Sequence, residues 1–74
     1  MLIKVVETTD DQYLGLEFML PSAGDTLRLG DVEWDVEGVY FDENLGYWKI
    51  WNYNYYALVE EVKIEVWYGF NGLD

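Results

Sequence analysis

From Asp31 to Glu37 the chain alternates without a break: Asp31, Glu33, Asp35 and Glu37 are interleaved with Val32, Trp34 and Val36. A period of two sends successive side chains to opposite faces of a strand, and it matches no helical face. One face of this segment must be buried and the other solvated. That is the signature of an antiparallel sheet with a single covered face. The segment therefore commits the fold to β-structure, with Trp34 on the covered face.

The rest of the chain is consistent with that reading. Turn-forming residues cluster at Thr8–Gln12, Pro21–Asp25, Gly30-Asp31, Asp42–Gly46 and Asn52–Asn54, with short stretches rich in Val, Ile, Leu, Tyr and Trp between them. Such spacing predicts short antiparallel strands. Over residues 13–20, Leu14, Leu16, Phe18 and Leu20 share one parity, which predicts a strand ending at Pro21. Leu27 and Leu29 then face inward, and Gly30-Asp31 is a two-residue hairpin turn. At Gly38 the apolar parity slips, with Val39 and Phe41 now carrying it, and a glycine at a phase slip predicts a β-bulge. Tyr47–Trp51 is predicted as a strand, with Trp48 and Ile50 on one face and Tyr47, Lys49 and Trp51 on the other. Val62, Ile64 and Val66 alternate with Glu61, Lys63, Glu65 and Trp67 in a last strand. Between them Tyr55, Leu58, Val59 and Val62 sit at helical spacing behind Asn54, which predicts a short helical turn near 55–60.

The expected fold is all-β: one small acidic domain over residues 1–74, with five or six antiparallel strands in a curled sheet. Short bent strands joined by tight turns, with Pro21-Ser22-Ala23-Gly24-Asp25 entering a strand pair, resemble the SH3-like small barrels. That resemblance implies an architecture and no activity.

Composition narrows the function. Fifteen acidic residues against four basic ones leave a net charge of −11, and there is neither histidine nor cysteine. The usual catalytic bases and thiol nucleophiles are missing, and Ser22 is the sole serine with no imidazole to activate it. The chain is expected not to be an enzyme. No cofactor is expected, and zinc has no sulfur or imidazole ligand. The loop Asp42-Glu43-Asn44 offers oxygen ligands, but it lacks the alternate acids and central glycine of a calcium loop and reads as a solvated turn. Lys4, Arg28, Lys49 and Lys63 are scattered singly, so direct binding of nucleic acid or of an anionic membrane is disfavoured. The N-terminal apolar run is too short for a signal peptide, and a cytoplasmic location is the expectation.

Two surfaces remain as candidates for binding. Asp31, Glu33, Asp35 and Glu37 form an acidic row at a spacing of about 6.8 Å, twice the strand rise. Like charges aligned in this way repel one another and add nothing to stability. The bland account of the row is a solvated face; the sharper one is a line of charge that imitates a nucleic-acid backbone. Glu61 and Glu65 are expected to extend it on a neighbouring strand. The aromatic residues, 19% of the chain, are too many for a small core. Trp34, Trp48 and Phe41 are assigned to that core, whereas Tyr47, Trp51, Trp67 and some of Tyr53, Tyr55 and Tyr56 are expected at least partly exposed, as interface aromatics are, with Tyr53 and Tyr55 the preferred candidates.

The first expectation is a non-catalytic protein that binds a basic surface of a partner, itself a nucleic-acid-binding protein. In charge and composition the chain is similar to the DNA-mimic inhibitors of phages and mobile elements. A second is a structural or assembly subunit that forms a homodimer or larger oligomer through its aromatic surface. A third is a carbohydrate- or peptide-binding module built on the Tyr and Trp side chains, with Asn52 and Asn54 as polar partners.

Overall fold

The structure is a computed structural model and describes residues 1–63. Among these residues seven strands make two antiparallel sheets: β1 (Leu2–Thr8), β2 (Glu17–Met19), β3 (Thr26–Leu29), β4 (Val32–Asp35), β5 (Gly38–Asp42), β6 (Tyr47–Trp51) and β7 (Tyr56–Glu61). Five of them form one sheet in the order β2-β1-β7-β6-β5, and β3 and β4 form a separate hairpin. The expected all-β antiparallel class is correct. The SH3-like closed barrel is not, because among the described residues β2 and β5 end the large sheet as free edges. Among those residues no helix is long and apolar enough to cross a membrane.

The core lies between the two sheets. Ile3 and Val5 of β1, Ile50 of β6, and Ala57 and Val59 of β7 form the covered face of the large sheet, while the hairpin supplies Leu29 and Trp34, and Val36 follows it. Each of these strands buries alternate residues, so the period of two is met on both layers. Gly30 and Asp31 turn the hairpin as expected, with Gly30 at φ +63°, a conformation that glycine adopts without steric cost. Backbone bonds from Gly24 N–H to Val36 O and from Val36 N–H to Asp25 O continue the hairpin pairing on both flanks.

The phase slip at Gly38 has a different cause from the expected bulge. Trp34 and Val36 point into the core from the hairpin; one residue later the Glu37 N–H donates to Trp51 O at 2.9 Å and the chain joins the large sheet. Changing sheets changes the parity. Gly38 stands directly opposite Trp51 in the β5–β6 register, and the Trp51 indole lies over it. The register irregularity of the large sheet falls instead in β1, between Val5 and Glu7.

Two further expectations are corrected. Residues 13–20 are not one strand: Asp10 caps a single 3-10 turn at Asp11–Tyr13, Tyr13 enters the core, and Gly15 at φ +81° turns the chain back. Leu14 and Leu16 are exposed as a result; Gly15 N–H and Leu16 O already bond Val5 of β1 at 3.0 Å each, and the regular strand begins at Glu17. Residues 55–60 form no helical turn. Asn52 Oδ1 accepts the N–H groups of Asn54 and Tyr55, both at 2.9 Å, which makes a tight turn straight into β7. Pairing with both β1 and β6 outweighs the helical spacing, and Leu58 and Val59 end on opposite faces. The expected last strand lies largely outside the described residues; Val62 follows β7, and its N–H donates to Leu2 O at 2.8 Å.

Candidate functional site

Strand β4 presents Glu33 and Asp35 as its alternation demands, and Glu37 continues the row two residues beyond the strand's end. Glu33, Asp35 and Glu37 are exposed, while Trp34 and Val36 are each 2% exposed beneath them. Asp31 is also exposed, but it belongs to the hairpin turn. The row is partly engaged by its own hairpin. Arg28 of β3 pairs with Glu33 at 3.3 Å, and Thr26 Oγ1 donates to Asp35 at 3.2 Å, both directly across the register. The Arg28–Glu33 pair is open to solvent on both sides, and such pairs contribute about 0–1 kcal/mol. Among the described residues Glu37 has no side-chain partner.

The β6–β7 turn meets this row. Asn52, Tyr53, Asn54 and Tyr55 line one side of a cleft of about 290 Å³ whose other side is lined by Val32, Glu33, Trp34, Asp35 and Glu37. The turn is held by the Asn52 carboxamide and by a backbone bond from Asn52 N–H to Tyr55 O at 2.8 Å. It is also tied to the core. Tyr55 stacks on Trp34 at 6.0 Å between centroids, and Tyr13 meets the same indole edge-on at 6.2 Å. Burial, then the Asp10 carboxylate, raises the Tyr13 phenol above its ordinary pKa. Tyr53 is left almost free, at 89% exposure.

The same turn borders a second cleft, of about 370 Å³, on the outer face of the large sheet. Tyr40, Lys49, Trp51 and Tyr56 line it beside the turn. Tyr40 packs edge-on against Trp51 at 5.6 Å, and Lys49 Nζ lies 5.3 Å from the centre of the Tyr56 ring. Tyr56 donates its hydroxyl to Glu7 at 3.0 Å, and that bond, followed by the repulsion of the same carboxylate, raises the Tyr56 pKa. The Asn52–Tyr55 turn thus separates an acidic cleft from an aromatic one.

Several sequence expectations are met here and others are not. Glu33, Asp35 and Glu37 come together with Tyr53 and Tyr55, and Trp51 joins the same turn from the outer face. Tyr47 is half-buried opposite Asp42 at the other end of β6 and borders neither cleft. Glu61 does not extend the row, because among the described residues β4 pairs only with β3 and Glu61 lies at the far end of β7, opposite Ile3. Glu65 and Trp67 lie outside the described residues. Phe41, assigned to the core, is 44% exposed and packs on Trp48 at the sheet edge. Tyr56, expected among the partly exposed aromatics, lines the outer cleft, whereas sequence reasoning missed Tyr40, Lys49 and Glu7; only the strand register reveals that they share a surface. The Asp42 carboxylate accepts the N–H groups of Asn44 and Leu45, a structural use that accounts for the oxygen-rich loop.

Compared with known protein families, curated proteins and solved structures, the chain matches none.

Proposed function

We propose that this chain is a non-catalytic acidic interaction protein that binds a basic surface of a partner protein through β4 and the β6–β7 turn. The observation that carries the reading is the convergence of Glu33, Asp35 and Glu37 with Tyr53 and Tyr55 on the two walls of one cleft. Carboxylates supply long-range attraction that falls with salt, and exposed tyrosines supply short-range contact that does not. A net charge of −11 speeds the encounter with any cationic patch. In its sharpest form the protein acts as a nucleic-acid mimic, with the carboxylates of Glu33, Asp35 and Glu37 standing for phosphates and the partner's nucleic-acid groove as target. The outcome is then inhibition of that partner.

The test is affinity capture from a cell extract at low salt, with stepwise salt elution, using wild type beside the variant Glu33→Gln/Asp35→Asn/Glu37→Gln. A nucleic-acid-binding protein that is retained by wild type and lost by the variant supports the reading. Equal retention by both refutes it. The outer cleft, lined in part by Trp51 and Tyr40, favours a second reading: an assembly subunit that self-associates through that face. Sedimentation of Trp51→Ala beside wild type separates the two.

A further inference from the structure

Two neighbouring cross-strand pairs line the outer cleft. Tyr40 stands opposite Lys49 in the β5–β6 register, and Trp51 stands opposite Tyr56 in the β6–β7 register. Ile50, between Lys49 and Trp51, is buried in the core, so the period of two sends both neighbours to the outer face. The Trp51 indole is backed by Gly38 and met by the Tyr40 ring at 75°, so that two aromatic planes make a corner. Asn52 and Asn54 line the same cleft from the turn. With its Oδ1 committed to the N–H groups of Asn54 and Tyr55, the Asn52 carboxamide is left with its NH2 donors, and the exposed Asn54 adds a second carboxamide.

These groups select among ligand classes. A cation is disfavoured, because the Lys49 ammonium already lies over the Tyr56 ring, 5.3 Å from its centre, and repels a second positive charge. An anion would meet Lys49 as the one positive group lining the cleft, against the Glu7 carboxylate at the Tyr56 hydroxyl and a net charge of −11. A flat aromatic ligand asks for a slot between roughly parallel rings, and a 75° corner is not one. A neutral saccharide suits all three features. Its C–H face rests on an electron-rich ring, and its hydroxyls, which donate and accept, meet the ammonium and the carboxamides. At about 370 Å³ the cleft lies at the small end of the ~300–1,000 Å³ range of ligand pockets, which restricts it to a short saccharide or the end of a chain.

We propose that the outer cleft binds a neutral saccharide, with the Tyr40–Trp51 corner as its stacking platform and Lys49, Asn52 and Asn54 as partners of its hydroxyls. This site is independent of the basic-partner reading, whose carboxylates lie on the other side of the turn, and it competes with self-association for the outer face.

The experiment is a titration of the whole protein, followed in proton–nitrogen correlation spectra, with cellobiose, maltose, lactose and N,N′-diacetylchitobiose. Glycerol at equal hydroxyl concentration is the control, and the Trp51 indole signal is assigned with Trp51→Phe. At least one disaccharide is expected to give saturable shifts of the Trp51 indole N–H and of the Asn52 and Asn54 carboxamides, and glycerol none. Tyr40→Ala and Lys49→Met are each expected to weaken binding several-fold with the rest of the spectrum unchanged. Glu33→Gln/Asp35→Asn/Glu37→Gln is expected to keep the wild-type saccharide affinity. The inference is overturned if none of the four disaccharides gives a saturable shift, or if both single variants bind as wild type does. Movement of the same signals on dilution, with no saccharide present, would assign the face to a second copy and overturn it too. None of these failures touches the basic-partner reading, which salt-dependent capture tests by itself.

Discussion

The contact between Gly38 and Trp51 allows the sharpest prediction about stability. Gly38 is the first residue of edge strand β5, opposite Trp51, and an alanine Cβ there would fall inside the indole, against its Cζ2, Cη2 and Cε2 atoms. The indole would have to withdraw by roughly 1.5 Å, or change rotamer, to regain an ordinary carbon–carbon separation of ~3.5 Å. Tryptophan buries ~150–250 Å² in a fold, and losing the glycine face and the Tyr40 edge would expose about 80 Å² of it, which costs about 2 kcal/mol at ~25 cal/mol/Å². The backbone itself does not object, because Gly38 is not among the glycines with positive φ. Alanine there restricts the unfolded chain and so returns ~0.4–1 kcal/mol. Gly38→Ala should therefore cost ~1–2 kcal/mol in urea unfolding, and lower the melting temperature by roughly 4–16 °C for a domain of this size. In a Trp51→Ala background the same change should cost nothing and even stabilise slightly. An equal cost in both backgrounds would refute the reasoning, since the penalty would then not come from the indole.

Further predictions concern the core, the turn and the tyrosines. Ile50 is fully buried between the sheets, so Ile50→Ala should cost ~2–5 kcal/mol by chemical denaturation. Asn52→Ala removes the acceptor of two backbone N–H groups and should cost ~1–2 kcal/mol, with faster amide exchange confined to Asn54 and Tyr55. Tyr13 and Tyr56 both have pKa values raised in the fold, so the protein holds their protons more tightly than the unfolded chain does. Their contribution to stability is complete below the ordinary tyrosine value of ~10 and is lost as pH rises through the folded values. In an absorbance titration Glu7→Gln should bring the Tyr56 ionisation back toward its ordinary range and leave Tyr13 unmoved.

Local pattern made some of this molecule legible and was silent on the rest. The alternation from Asp31 to Glu37 is enough to place Trp34 inside and the carboxylates outside, because parity is a property of the strand alone. The same holds for the faces of Tyr47–Trp51 and for the Gly30-Asp31 turn. The slip at Gly38 was visible too, but a bulge and a change of sheet produce the same break in parity. Only pairing partners separate them, and those lie in β3 and β6. Residues 55–62 misled because aromatic and aliphatic side chains recur by chance at helical spacing, whereas the ladder to β1 and β6 is a long-range property. Leu14 and Leu16 alternate correctly for a strand, yet the Asp10 cap and Gly15 bend the chain before any strand begins. For the site, the acids were readable as a row; their meeting with Tyr53 and Tyr55 depends on Trp34, which packs β4 against the β6–β7 turn.

The central claim is that position, rather than net charge, makes the carboxylates of β4 and of Glu37 just beyond it a binding surface. It is tested by measuring affinity for the captured basic partner across a salt series. The β4 variant Glu33→Gln/Asp35→Asn/Glu37→Gln is compared with Asp11→Asn/Glu17→Gln/Glu43→Gln, which removes as much charge from exposed residues away from the acidic cleft. The account predicts that the β4 variant loses most of the affinity and most of the salt dependence, while the other retains both nearly intact. Equal losses in the two variants would contradict it, because the partner would then be responding to total charge alone.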